Sequence, residues 1–135
     1  MSRSILFICA IGLVGCAEDT PTSPTPDSLD GVWRIVSIQP ASQTVQPAPT
    51  GARYQVGFED ERVFLRVDCN TCTGPFTLNA NTLRLGPALG CTRAACATAS
   101  YESAVVALLS GDHQIAATSN TLTLTSSRGT ALLQR

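Results

Sequence analysis

Cys69, Cys72, Cys91 and Cys96 carry the clearest chemical signal in the chain. They fall as Cys-x2-Cys and then Cys-x4-Cys, close to the spacing of a zinc ribbon, where four thiolates close a tetrahedral site. The same four cysteines can instead form two disulfides, in any of three pairings. Cys69 and Cys72 alone have the spacing of a thiol–disulfide redox motif, whose reactive thiolate is stabilised at a helix N-terminus. Here Gly74-Pro75 and a strand pattern follow, so no helix dipole serves that purpose. In an exported chain disulfides persist. Structural disulfides are therefore the expectation, with a zinc site and a redox pair as the alternatives.

The remaining candidates for chemistry are sparse. His113 is the single histidine. It follows a predicted helix in a predicted turn, and reads as a solvated loop residue. With it so placed, no Ser-His-Asp set can be assembled. Glu59-Asp60-Glu61 is an acidic turn without the regular ligand alternation of a calcium loop. Paired-carboxylate catalysis by Asp68 or Glu102 would need one of them in an apolar cleft. The simpler reading has Glu102 accept hydrogen bonds from the backbone or from Arg93 and fix the helix start. Trp33 and Tyr54 read as core, and no glycine loop suited to cradling phosphate is present. The expectation is that the protein is not an enzyme and needs neither metal nor cofactor.

Charge excludes another class. The net charge is -1, there is no lysine, and the arginines are scattered, which is not a nucleic-acid footprint.

The N-terminal segment carries an address. Arg3 precedes an unbroken apolar run from Ile5 to Val14, the length of a signal-peptide core and too short to span a bilayer. It ends in Leu13-Val14-Gly15-Cys16, which resembles a bacterial lipobox. Residues 1–15 are then a lipoprotein signal peptide, with Cys9 discarded inside it. Cys16 becomes the acylated first residue; several chains anchor stably where one does not. Residue 17 is Ala rather than Asp, which by resemblance to the usual sorting pattern favours the outer membrane, facing the periplasm, in a diderm organism. Residues 16–28 hold the lipidated cysteine and a tether with prolines at 21, 24 and 26. Such a segment avoids helix and sheet and reaches at most about 40 Å.

Residues 29–135 must position the sulfurs. Gly31 to Ile38, Tyr54 to Phe58 and Val63 to Val67 show strand patterns, the last two forming a hairpin around the acidic turn. Gln39 to Gly51, with prolines 40, 47 and 49, reads as a long loop. Phe76 to Leu78 and Leu83 to Leu85 flank Asn79-Ala80-Asn81, a turn in which asparagines accommodate unusual backbone angles. Tyr101, Val105, Leu108 and Leu109 share one helical face, and Gly111 is placed to end that helix. Leu122, Leu124 and Ala131 to Leu133 belong to the closing strands. The expected fold is α+β, mostly β: a curved antiparallel sheet or partial barrel of about seven to eight strands with one helix packed across it.

This order of motifs resembles the META/HslJ-like domain family of bacterial envelope proteins. The matching residues are Leu29, Gly31 and Trp33; Cys69, Asn70, Gly74 and Phe76; Thr92, Arg93, Ala95 and Cys96; and Glu102 with Leu108 and Leu109. Departures are Cys72 and Cys91, the long 39–51 loop, and Leu65 to Asp68 in place of a glycine-rich stretch. The resemblance implies a Cys69–Cys96 bond between family motif positions, with Cys72–Cys91 as an accessory bond nested inside it. It also implies a non-catalytic, lipid-anchored envelope protein that binds or supports another envelope protein or a stress response. The alternative it implies is a carrier of lipid or another apolar ligand, similar to secretion pilot proteins.

Overall fold

The computed structural model describes residues 26–135. The signal segment, Cys16 and all of the tether before Pro26 lie outside the described residues. The elements in chain order are α1 (Pro26–Leu29), β1 (Gly31–Pro40), β2 (Gln46–Pro47), β3 (Tyr54–Glu59), β4 (Arg62–Val67), β5 (Asn70–Asn79), β6 (Thr82–Leu85), β7 (Gly90–Cys91), α2 (Ala99–Leu109), β8 (Gly111–Ala117), β9 (Thr121–Ser126) and β10 (Gly129–Gln134).

All ladders are antiparallel, and their order is β10-β9-β8-β6-β5-β4-β3-β1, with β10 paired back onto β1. The sheet therefore closes into an eight-stranded barrel. Two short strands lie off the ring: β2 on β1 and β7 on β5. Closure removes the open edges that would otherwise invite further pairing. The seam needs one close approach. Gly129 pairs with Pro40 at φ 134, and a Cβ there would stand 2.1 Å from the Gln39 carbonyl oxygen.

Alternation fills the barrel. Trp33, Ile35, Val56, Leu65, Val67, Leu83, Leu85, Leu122, Leu124 and Leu133 point inward and are buried, while the residues between them face out. An eight-stranded barrel is just wide enough for its own side chains to fill. Each fully buried aliphatic or aromatic chain contributes about 1.5–3 kcal/mol.

Both mouths are shut. At one, α2 lays the expected face of Tyr101, Val105, Leu108 and Leu109 onto the core. Its C-terminal end is set by Ser110 and then Gly111 at φ 94. At the other mouth α1 inserts Leu29, fully buried, and the Trp33 indole N–H donates to the Leu29 carbonyl at 2.8 Å. Arg135 stacks its guanidinium 4.0 Å from the Trp33 ring and donates to the Ser28 carbonyl.

Four local expectations need correction. The helical turn begins at Pro26, inside the segment read as tether; proline is tolerated at a first helical position. The 39–51 segment is not all loop: β1 continues to Pro40 and β2 pairs back through Ile38 and Gln46, because β1 has β10 on one side and room for a short partner on the other. In the 79–81 turn the left-handed residue is Ala80, at φ 50, not an asparagine. His113 lies on β8 and is 1% exposed. The β3–β4 hairpin does turn at the acidic stretch, with Asp60 and Glu61 at φ 47 and 59. Positive φ at both central residues matches the twist of the flanking strands.

Candidate functional site

Hydrogen-bonding side chains converge at the α2 mouth. Asp68, at φ 59, turns the chain from β4 into β5 and aims its carboxylate at the helix start. Asp68 Oδ2 accepts from the Thr98 backbone N–H at 3.1 Å and from the Thr98 hydroxyl at 2.6 Å. Because that hydroxyl donates to the carboxylate, the Tyr54 hydroxyl, 2.6 Å away, donates to Thr98. Burial pushes the Tyr54 phenol up, against the Thr98 hydrogen bond, and the nearby Asp68 and Glu102 carboxylates add to the rise. Tyr101 packs edge-on against Tyr54 at 4.8 Å. Burial, aided by Tyr54, pushes its phenol up to about 12.

Asn70 opens β5 with its side chain turned inward, and it is 1% exposed. Its amide works as a hub. Oδ1 accepts from the Ala94 N–H at 2.8 Å and the Thr92 hydroxyl at 2.9 Å. Nδ2 donates to the Ala94 carbonyl at 2.9 Å and to Glu102 Oε1 at 2.9 Å, and lies 3.1 Å from Cys96 Sγ. One side chain thus holds the 92–96 strap against both β5 and α2. The Glu102 expectation is corrected here: its bond runs to Asn70, while Arg93 stands exposed. The helix start is held by Asp68 through Thr98, because the β4–β5 corner brings that carboxylate nearer to the first turn.

Two disulfides frame the strap. Cys69 joins Cys96, with Cα atoms 5.7 Å apart, and Cys72 joins Cys91 across the β5–β7 pair, with Cα atoms 4.0 Å apart. This is the pairing implied by the family resemblance. Among the described residues no three His, Cys, Asp or Glu side chains converge as a metal site. Gly74 sits where Ala88 and Leu89, leading into β7 and the strap, cross β5; a Cβ there would stand 2.9 Å from Leu89 Cδ2. Gly31, at φ 102, joins α1 to β1, and Trp33 is core. At the far end of α2, His113 Nε2 lies 2.9 Å from the Leu108 carbonyl and Nδ1 lies 3.1 Å from the Gly111 carbonyl. The histidine ties β8 to the last helical turn.

Strap and helix enclose an open groove of about 640 Å³. Leu89, Val106 and Ala107 give it apolar walls, Asn70 and Glu102 a polar floor, and Arg93 a charged rim. Thr98 and the carbonyl of Ala94 are parts of this site that the motifs do not single out, whereas Thr92 belongs to the family motif. Thr98 carried a usable signal, a threonine directly before a helical pattern. The role of Ala94 is entirely backbone and leaves no mark on residue type.

The META domain model matches residues 27–135 of this chain. The chain belongs to the META domain family. No curated protein matches it. An NMR structure of a protein from Burkholderia xenovorans is 21% identical, covers 93% of this chain and 98% of its own, and has a TM-score of 0.68. A second NMR structure is 20% identical, covering 82% and 94% of the two chains, with a TM-score of 0.65. The crystal structure of a lipocalin-like protein from Bacteroides uniformis is 13% identical, covering 80% and 98%, with a TM-score of 0.56. At these identities the likeness concerns the fold: a META domain shares its barrel with a lipocalin-like protein.

Proposed function

We propose that this META domain chain is a non-catalytic, lipid-anchored envelope protein that binds another envelope protein through the groove beside α2. The observation that carries this reading is where the buried and half-buried polar groups at the α2 mouth make their hydrogen bonds. Asp68, Asn70, Thr98, Glu102 and His113 all bind the protein's own backbone or side chains. They brace a surface rather than present an acid, base or nucleophile. The filled barrel interior supports the same reading, since it leaves the outside for recognition. The Cys16 motif supports attachment, and the described residues begin at α1, at the mouth opposite the groove.

The test is a benzophenone amino acid at Ser103, an exposed residue on the groove, in the full chain in intact cells. The expected result is one dominant crosslinked envelope protein, lost when Glu102 and Arg93 are replaced by alanine. Crosslinks to lipid alone, or none, would contradict it. Intact mass should show Cys16 as an acylated first residue, and Cys16→Ala should abolish processing. The apolar walls Leu89, Val106 and Ala107 favour one rival, a carrier that holds an acyl chain in this groove. Lipid released on denaturing the purified protein would support that rival.

A further inference from the structure

The two short strands outside the closed ring each keep one unpaired edge. The edge of β2 carries Pro47, with Pro49 just beyond, and proline discourages further pairing there. The edge formed by β7 and the strap has no proline from Ala88 to Thr98. Its backbone directions follow from its bonds to β5. The Thr92 N–H donates to the Thr71 carbonyl at 2.9 Å, so Thr71 and Thr92 form a hydrogen-bonded pair and Cys72 and Cys91 a non-hydrogen-bonded one. The Ala94 N–H and carbonyl are both taken by the Asn70 side chain, again on the β5 side. By alternation the N–H and C=O groups of Cys91 and Arg93 turn away from β5. Among the described residues they have no hydrogen-bond partner.

That edge opens onto the groove. The strap lines one side and α2 returns along the other, with Ser103, Val106, Ala107 and Ser110 on the facing wall. From Glu102 to Ser110 the helix advances about 12 Å, the length of about four residues of a strand. The charge available there is positive. Glu102, the one acidic residue of α2, is bound to Asn70. Arg93 is exposed at the rim and makes no ion pair among the described residues. Arg128 donates to the Ser110 carbonyl at the other end of the groove. The disulfides at Cys91 and Cys96 and the Asn70 hub hold the edge in place, so a partner that pairs with it orders little of the protein.

We propose that the groove receives an extended, acidic segment of the partner, about four residues long, which adds as a strand to the free edge of β7 and the strap. This rests on the reading of the groove as a protein-binding site and specifies what the partner must present. The free N–H and C=O groups of Cys91 and Arg93 pair with the main chain of the segment, and its alternate side chains meet the apolar walls. A carboxylate in the segment faces Arg93 and Arg128, whereas a basic segment is repelled. A helix satisfies its own main chain internally and has nothing to offer that edge. Laid in the groove, a helix or an acyl chain would cover Cys91 and Arg93 and leave their backbone groups without water or partner, which is costly.

The test places a benzophenone amino acid at Ser103 and, separately, at Ala107, both exposed on the α2 wall, in the full chain in intact cells. The two sites are about 6 Å apart along the helix. Mass spectrometry of the crosslinked peptides should place both hits in one acidic segment of one partner, about two residues apart, since a strand covers that distance in two residues. A helical partner would advance by about four. Backbone variants give a second readout. Arg93→Ala keeps the N–H and loses the charge, whereas Arg93→Pro loses both. Arg93→Pro should lower the crosslink yield about fivefold more than Arg93→Ala does. Retention of both disulfides on non-reducing gels checks the fold, and the spacing of the hits decides alone if the proline variant fails that check. Hits about four residues apart, or equal losses in the two Arg93 variants, would overturn strand addition and leave the groove as a protein site. With no crosslinked protein, or lipid alone, the groove reading and this inference fall together.

Discussion

The two mouths of the barrel are closed by different physics. At the α1 mouth the plug is apolar: Leu29 and Trp33 are fully buried, one indole hydrogen bond fixes the turn, and Arg135 covers the ring. At the α2 mouth closure is covalent and polar: two disulfides, the Asn70 hub, the Tyr54–Thr98–Asp68 relay and the His113 tie. An apolar plug tolerates no deep change but specifies little surface. A polar, crosslinked strap specifies a particular exposed shape, and that is the mouth suited to recognition.

The comparison can be broken first at the apolar mouth. Trp33→Ala removes the largest fully buried side chain and should cost about 3–5 kcal/mol in a urea melt. Reducing the disulfides attacks the other mouth. The loop-entropy model assigns about 3 kcal/mol to the first bond and less to the nested one. Hydrogen exchange should then quicken in residues 89–98 before it does at Trp33. A third variant, Asn70→Ala, strips partners from Ala94 and Glu102 while leaving both disulfides in place. A loss of about 1–3 kcal/mol is expected, read by denaturant midpoint.

Alkali sharpens the contrast further. Both tyrosines of the chain sit at the α2 mouth, and both phenols are raised by burial. A folded pKa above the unfolded value of 10.0 means the unfolded chain loses its phenolic proton first. Stability from Tyr101 is therefore full below pH 10 and is lost as pH rises from there toward about 12. Absorbance near pH 10 should show less phenolate than two free tyrosines would give while the fold persists. The smallest effect is expected at the α1 mouth, where the β5–β6 turn holds Ala80 left-handed. Ala80→Gly should stabilise by at most about 1 kcal/mol, since glycine removes the Cβ strain but adds unfolded-state freedom.

How far the sequence could be read follows the same division. Strand alternation and the α2 face announced themselves because each is a repeat of side-chain type along one element. Trp33 and Tyr54 were legible as core for that reason. The cysteine pairing became legible only through the family motif, since spacing alone leaves three pairings open. What stayed hidden depends on contacts between elements. His113 reads as solvated because its partners are backbone carbonyls five and two residues away, which no residue type reports. Glu102 reads as structural from its place at the helix start, but its partner Asn70 lies 32 residues upstream. The extension of β1 to Pro40 was masked by a proline whose strand role depends on the Gly129 seam.

The central claim is that the barrel is filled by its own side chains and acts through its surface. Native mass spectrometry of the protein extracted from membranes tests it most directly. The expected species carries two disulfides and a covalent N-terminal lipid, with no further apolar molecule held non-covalently. A stoichiometric lipid that leaves only on denaturation would contradict the claim.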